Sequence, residues 1–515
     1  MKQCGSKGIL KNTAVVGAMT ALSRVLGLVR EMFQSRLIGA GVEQSAFTLA
    51  FAIPNMMRKL FGEGALTAAF VPVFKGEVEA QRMESARRLA RAVMTMTLLM
   101  LAAVSALAVA GLSVALQWGP DFSERTSLTL RLTRLLVPYM IFICGAAFGM
   151  GVLNALGKFA AASLMPCLLN VVWIGALGAL CFFPDMALGA RIVWVSGAIL
   201  FAGFLQMAFM FWCMRRRGVS PLPTRVGWRD PNTRLVWRNM LVAALGAGAV
   251  QINYMLDQVL AQAASPWAAG VIGYAERLMD LPLGVIGVAF GTVLLPTFAG
   301  LFAKGDLDGA RSAMRSSVLS LMFVMLPAAA GLFALAPEVT GVIYKGGAFG
   351  DEATLRVARA LAVYSLGLAF FGLTKSFVPW FQAQNDMKTP LRVSLATVVL
   401  NATLNVLAVW LLPVEWRHVG LATSTVACAA VGCAMLMVLA RRKNGSLGLG
   451  PALAPLGAML AAALAMAAAL HALRPLVAGW NEVLALGVLV VSGMAVYAFA
   501  ALLLLRGRVR TLLRR

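Results

Sequence analysis

Four arginines stand where arginine is costly. Arg24 and Arg30 fall in the apolar stretch 15–38, Arg58 in 47–74 and Arg277 in 270–302. Each stretch exceeds the roughly 20 residues that an α-helix needs to cross a bilayer. An arginine at the centre of such a helix costs about 2.5–3.5 kcal/mol even on the lenient insertion scale. Nearby acids (Glu31, Glu63, Glu276 and Asp280) are too few to neutralise every cation once Arg36 and Lys59 are counted. The fork of a guanidinium pairs bidentately with a phosphate. These residues therefore predict a water-filled cationic cavity and an anionic, phosphate-bearing cargo. Arg36 and Lys59 fit better as interhelical salt bridges or anchors near the membrane surface.

The spacing sorts these groups onto helix faces. Arg24 and Glu31 lie seven apart with Gly27 between them, and Ser23 and Arg30 share the adjoining stripe. Arg58 follows Pro54 by four residues, Lys59 and Glu63 form an i,i+4 pair, and Arg277 can meet Asp280 at i,i+3. A second polar group comprises Asp257, Asn401, Asn405, Thr423 and Thr425. One carboxylate among neutral oxygens suits a monovalent cation, or a proton on Asp257. Interhelical hydrogen bonds explain the same residues equally simply.

Other chemistry is scarce. The two histidines, His418 and His471, sit near expected helix ends, and none of the seven cysteines forms a CxxC pair. There is no GxxxxGK[ST] motif and no cluster of loop carboxylates. No catalytic residue, metal centre or cofactor is expected, and the chain does not read as an enzyme.

The elements that position these residues follow from composition. Of the 515 residues, 60% are hydrophobic and 13% charged, with mean hydropathy +0.82. A soluble domain has about 25% charged residues, so this is an all-α polytopic membrane protein. Fourteen apolar segments follow one another, from 13–38 to 483–505. The second and eighth contain Pro54, Pro72, Pro282 and Pro296, which predict kinks or breaks, with Gly284 and Gly287 as further bending points. No cleavable signal peptide is expected, because Arg24 interrupts the first apolar run.

The formal charge of +24 gathers in alternate loops. With the N-terminus cytoplasmic, inside segments hold Arg215–Arg217, Arg441–Lys443 and Arg506–Arg515, while outside segments hold chiefly Arg125, Arg131, Lys345, Arg356 and Arg359. The positive-inside rule then puts both termini in the cytoplasm and removes any reason to invoke nucleic acid. The expected organisation is an N-lobe over 1–217, a basic linker over 218–238, a C-lobe over 239–443, and two further helices with a basic tail over 444–515. A faint repeat supports two halves: Arg58 precedes Pro72-Val73-Phe74 as Arg277 precedes Pro296-Thr297-Phe298.

Long motifs carry a family likeness. SRVLGLVRE, the following GAG, IPNMMRKLFGEGALTAAFVPVF, YAERLMDLPLGVIGVAFGTVLLPTF and QNDMKTP resemble the MurJ (MviN) lipid II flippases of the MOP exporter superfamily, over nearly the whole chain. The resemblance implies an inner-membrane transporter for peptidoglycan synthesis, cell-wall biogenesis and cell shape. Its cargo would be undecaprenyl-pyrophosphate-linked GlcNAc-MurNAc-pentapeptide, moved outward by alternating access. It implies two six-helix lobes around a central cavity, a lipid-tail groove made by the last two helices, and a monomeric working unit among the bilayer and cell-wall synthesis proteins. The family's cavity arginines fall on Arg24, Arg30, Arg58 and Arg277, with Ser23, Glu31, Glu63 and Glu276 beside them. Its cation site falls on Asp257, Asn401, Asn405, Val419 and Thr423, so Na⁺ or proton coupling and the membrane potential are the expected drives. The chain departs from the family's pattern at Glu31, where Asp is frequent, and at Ser45, where many members are acidic. A flippase for another undecaprenyl-linked saccharide and a cation-coupled drug exporter are the alternatives; the second calls for acidic and aromatic cavity residues instead of arginines.

Overall fold

A chain in lipid must satisfy its backbone polar groups internally, which leaves a helix or a closed barrel. The computed structural model describes residues 6–60 and 66–505, without the side chains of 6–15, 66–68 and most of those between 241 and 252 and between 285 and 292. The described residues form seventeen α-helices. Ten spans among them are long and apolar enough to cross a membrane. The remaining expected segments coincide with the helices that carry Arg24, Arg30, Arg58, Asp257 and Arg277.

The chain divides into two compact units, 1–262 with 346–349, and 263–345 with 350–515. Unit one contains α1 (Ser6–Ile38), α2 (Val42–Met57), α3 (Leu66–Glu79), α4 (Met83–Trp118), α5 (Glu124–Leu136), α6 (Tyr139–Ala155), α7 (Phe159–Leu180), α8 (Leu188–Arg216) and nearly all of α9 (Pro231–Ala264). Two apolar clusters fill it. One is centred on Phe70, Phe74 and Phe148, the other on Phe47, Tyr139 and Trp173. Small residues let these helices approach: a Cβ added at Gly203 of α8 would lie 2.6 Å from the Tyr139 ring.

The basic connection after α8 is folded onto unit one. Thr224 N–H donates to Thr95 Oγ1 at 3.0 Å, Arg91 Nε donates to the Leu222 carbonyl at 3.3 Å, and Asn232 Nδ2 donates to Glu77 Oε1 at 3.1 Å. Val219 and Val236 are fully buried in the Phe70 cluster. Segment 346–349 also belongs to this unit, because Ala348 N–H donates to the Arg36 carbonyl at 2.8 Å. Two glycines make that approach feasible. Gly39 (φ +83°) and Gly347 (φ +56°) occupy the left-handed region, and a Cβ on Gly347 would stand 2.3 Å from the Arg36 carbonyl oxygen.

Unit two contains α10 (Ala268–Ala303), α11 (Leu307–Ala334), α12 (Ala336–Tyr344), α13 (Asp351–Gln382), α14 (Lys388–Leu411), α15 (Arg417–Asn444), α16 (Leu453–Leu473) and α17 (Glu482–Leu504). Trp380 is fully buried, with edge-on contacts to Phe298 and Phe302. Asp306 caps α11 by accepting from Gly309 N–H at 2.7 Å, and Asn481 caps α17 by accepting from Val483 N–H at 3.0 Å.

Prolines act differently from one helix to another. The expected break in the second apolar segment is present: α2 ends at Met57 and continues as a wider π-turn over 58–60. The expected break in the eighth is absent, since α10 runs unbroken through Pro282 and Pro296. A proline deletes one donor and leaves the rest of the ladder to hold the helix. An unexpected break separates α5 from α6, at Val137–Pro138.

Candidate functional site

In α1 the site is built on Arg30. Its guanidinium lies over the Trp173 ring, 4.4 Å from the centroid, and Nη1 donates to Asn170 Oδ1 at 2.9 Å. Nη2 donates to Glu31 Oε1, and Glu31 is only 5% exposed. Asn170 Nδ2 donates in turn to the Ser23 carbonyl at 3.0 Å, so one α7 side chain ties down two points of α1. Arg30 Nε is buried and has no acceptor among the described residues.

A polar chain continues from this centre. Trp173 Nε1 donates to Gln34 Oε1 at 3.0 Å, and Gln34 Nε2 donates to Gln44 Oε1 at 3.0 Å. Phe47 and Phe51 contact Trp173 edge-on, and Phe51 reaches Tyr139. The wall behind Arg30 is therefore aromatic. That suits a cation, whose charge the ring faces attract.

Arg58 sits at the turn where α2 widens. Its Nε donates to Asn55 Oδ1 at 3.1 Å, and its backbone N–H reaches the carbonyls of Pro54 and Asn55. Arg24 is half-buried and makes no hydrogen bond or ion pair among the described residues. Lys59 stands 5.0 Å from the Tyr254 ring centroid. Glu63 lies outside the described residues. Ser45 is fully buried near the start of α2, and Glu43 occupies its first turn, where a carboxylate complements the helix dipole.

In unit two, Arg277 is half-buried, 6.0 Å from the Tyr274 ring centroid. The adjacent Glu276 Oε1 accepts from the Tyr364 hydroxyl at 3.4 Å. Of the residues proposed for a cation, Asp257 falls in unit one and accepts from Asn253 Nδ2 at 3.3 Å. Asn401, Asn405, Val419 and Thr423 fall in unit two, where the Thr423 hydroxyl donates to the Val419 carbonyl at 2.8 Å. Both oxygens of that last pair are thus engaged within α15.

QNDMKTP serves a different purpose from the arginines. Asp386 caps α14 by accepting from Thr389 N–H at 3.0 Å, and Lys443 Nζ donates to its Oδ2 at 2.8 Å. The Lys443 hydrogen bond, with those from Thr389, holds the Asp386 carboxyl down at about 2. Gln384 and Trp380 both donate to Asn444 Oδ1. This motif joins helix ends.

Asn170, Trp173, Gln34 and Gln44 escaped the sequence reading. The available signal was modest: a lone Asn three residues before a Trp inside the apolar run of α7, and a glutamine ten residues after another across a turn.

The chain resembles known proteins in sequence and in fold. The family model described as "Lipid II flippase MurJ" matches residues 34–491. A probable lipid II flippase MurJ of Rhizobium tropici is 32% identical over 510 residues, covering 96% of this chain and 94% of that one. A counterpart from Rhizobium meliloti (strain 1021) is 34% identical, covering 90% and 86%. Among solved structures, one titled "Lipid II flippase MurJ, inward closed conformation" aligns with TM-score 0.78 at 21% identity, over 96% of this chain and all of that one. An inward-facing multidrug resistance MATE family transporter of the MOP superfamily aligns with TM-score 0.68 at 17% identity, over 82% and 95%. With the family model spanning most of its length, and relatives above 30% identity aligned almost end to end, this chain belongs to the lipid II flippase MurJ family.

Proposed function

We propose that this protein carries lipid II across the inner membrane, from the cytoplasmic to the periplasmic leaflet. The observation that carries the reading is the family match over residues 34–491. The site chemistry agrees with it. A diphosphate needs several donors in fork geometry and a wall that tolerates cations. Arg30 on Trp173, with a buried Nε, is set up in that way.

Arg24, Arg30, Arg58 and Arg277 bind the pyrophosphate, while the polyprenyl tail stays in apolar surroundings. Glu31 and Asn170 hold Arg30 in place for that task and do not touch the cargo. Transport proceeds by alternating access, with no bond made or broken. Both termini face the cytoplasm, which the bias of basic loops supports. An inside-negative potential then favours outward movement of the anionic headgroup by about 2.3 kcal/mol per charge per 100 mV. The working unit is a monomer.

The test is lipid II sidedness in cells depleted of their own flippase and carrying this gene. A probe that cleaves only periplasmic lipid II reports translocation. Cleavage returns with the wild type and fails with Arg24→Ala at equal protein level. Absence of cleavage with the wild type in the membrane overturns the cargo. Full cleavage with Arg24→Ala overturns the role of that arginine.

A further inference from the structure

One end of unit two carries more cationic groups than a periplasmic face needs. Arg359 of α13, and His471 and Arg474 at the end of α16, line one cavity of about 340 Å³. No acid lines it; its remaining wall is apolar, including Phe333, Leu355 and Ala467. Phe333 and Leu355 are about half exposed, at 49% and 48%.

Arg359 makes no ion pair among the described residues, whereas Arg474 is matched by the Glu338 carboxylate. Arg359 rests its guanidinium face 4.6 Å from the Trp416 ring centroid. A guanidinium stacked by its face still presents its N–H edges. Arg474 uses Nη2 on the Ala334 carbonyl and on Glu338, which belongs to an adjoining cavity of about 410 Å³ with Lys345 and Trp480. Tryptophans mark the depth as well. Trp416 and Trp480 are 45% and 55% exposed, and such residues concentrate where the acyl region meets the headgroups.

An arginine without an acid partner among the described residues, an imidazole, an apolar wall and an aromatic border match one class of occupant. We propose that this cavity holds an anionic phospholipid, with its phosphodiester on Arg359 and the start of one acyl chain against Phe333 and Ala467. The lipid ties the end of α16 to α13. Its assignment to the outer leaflet rests on the orientation proposed above.

The test uses the full-length protein in nanodiscs containing phosphatidylglycerol with a photoreactive group near the ester end of one chain, and peptide mapping after illumination. Phosphatidylcholine with the same chain is the neutral probe. The expected result is at least fivefold more labelling by phosphatidylglycerol within 330–337 and 462–474, and a fall to the phosphatidylcholine level in Arg359→Gln. Arg474 also holds Ala334 and Glu338, so Arg359→Gln, with an unchanged melting temperature, is the deciding variant. Equal labelling by the two lipids, or undiminished labelling in Arg359→Gln, overturns the site. In liposomes with the probe in one leaflet only, labelling confined to the cytoplasmic side overturns the outer-leaflet assignment. Lipid II transport is scored separately, so the two proposals fail independently.

Discussion

Arg30 in unit one and the paired helix ends of unit two hold their charges differently. Unit one carries Arg24, Arg30 and Arg58 within or directly after α1 and α2, and adds two neutral partners, Asn170 and Trp173, to the buried ion pair of Arg30 with Glu31. Unit two ties charges to opposite charges near helix ends: Lys345 with Asp351 at 2.7 Å, Arg474 with Glu338 at 2.6 Å, and Lys443 with Asp386 at 2.8 Å. A cation matched by an acid presents little net field to a ligand. A cation held also by an amide and an aromatic face, as Arg30 is beside Glu31, gains a fixed orientation. The first arrangement joins helices, and the second prepares an anion site.

That contrast breaks most visibly at Arg58. A hydrogen bond to a charged group contributes about 1.5–3 kcal/mol. Arg58→Ala is therefore expected to lower lipid II translocation about 10- to 150-fold, with Arg58→Lys recovering part of it as a point charge without the fork. Arg277→Ala is expected to match it. The periplasmic cleavage assay measures both. Wild-type translocation by either alanine variant removes that residue from the site.

Packing sets the next effect. Gly203 lets the Tyr139 ring lie against α8, and Tyr139 meets Phe51, which packs on the Trp173 that carries Arg30. Gly203→Leu forces extra methylenes into that contact and is expected to destabilise by about 1–3 kcal/mol. A thermal melt in detergent reads it. Gly341 of α12, with nothing within 4 Å of a built Cβ, is the control site. A melt unchanged by Gly203→Leu would show that the contact yields without cost.

Asn170→Leu separates orientation from charge. It removes the amide that holds Arg30 Nη1 and the Ser23 carbonyl but keeps every arginine. Hydrogen bonds between helices in a membrane contribute about 0.6 kcal/mol, up to about 1.7. Translocation is expected to fall about 3- to 15-fold, less than for Arg58→Ala. A loss as large as that of Arg58→Ala would mean that Asn170 meets the cargo itself.

Membrane cost made the arginines legible before any coordinates. Arg30 stood out because an apolar helix rarely tolerates it. Asn170 did not, because one amide in an apolar run costs little and has many uses. The GAG after α1 was legible as a motif. Its reason was not: Gly39 and Gly347 adopt positive φ so that segment 346–349 can reach the Arg36 carbonyl, a contact more than 300 residues apart in the chain. QNDMKTP was read with the family likeness, yet its side chains join α13, α14 and α15 at their ends. Prolines misled because sequence shows the missing donor but not the strength of the surrounding ladder. Pro282 leaves α10 continuous, while Pro138 marks a break between α5 and α6.

The smallest expected effect lies at the paired end of the comparison. Asp386 is held at about 2, below its usual range, by Lys443 and Thr389. A carboxyl depressed on folding contributes stability above its unfolded value, near 4, and that contribution is lost as pH falls through the folded value. Lys443 is 38% exposed, so solvent screens the pair and limits it to about 0.2–1 kcal/mol. Asp386→Asn is therefore expected to lower the melting temperature slightly at pH 7 and to leave translocation unchanged. The difference between wild type and variant should shrink between pH 4 and pH 2, which isolates this carboxyl from the other acids that titrate there. A difference that stays constant across that interval would show that the stabilisation does not depend on the ionised carboxylate, and would take Lys443 out of the account.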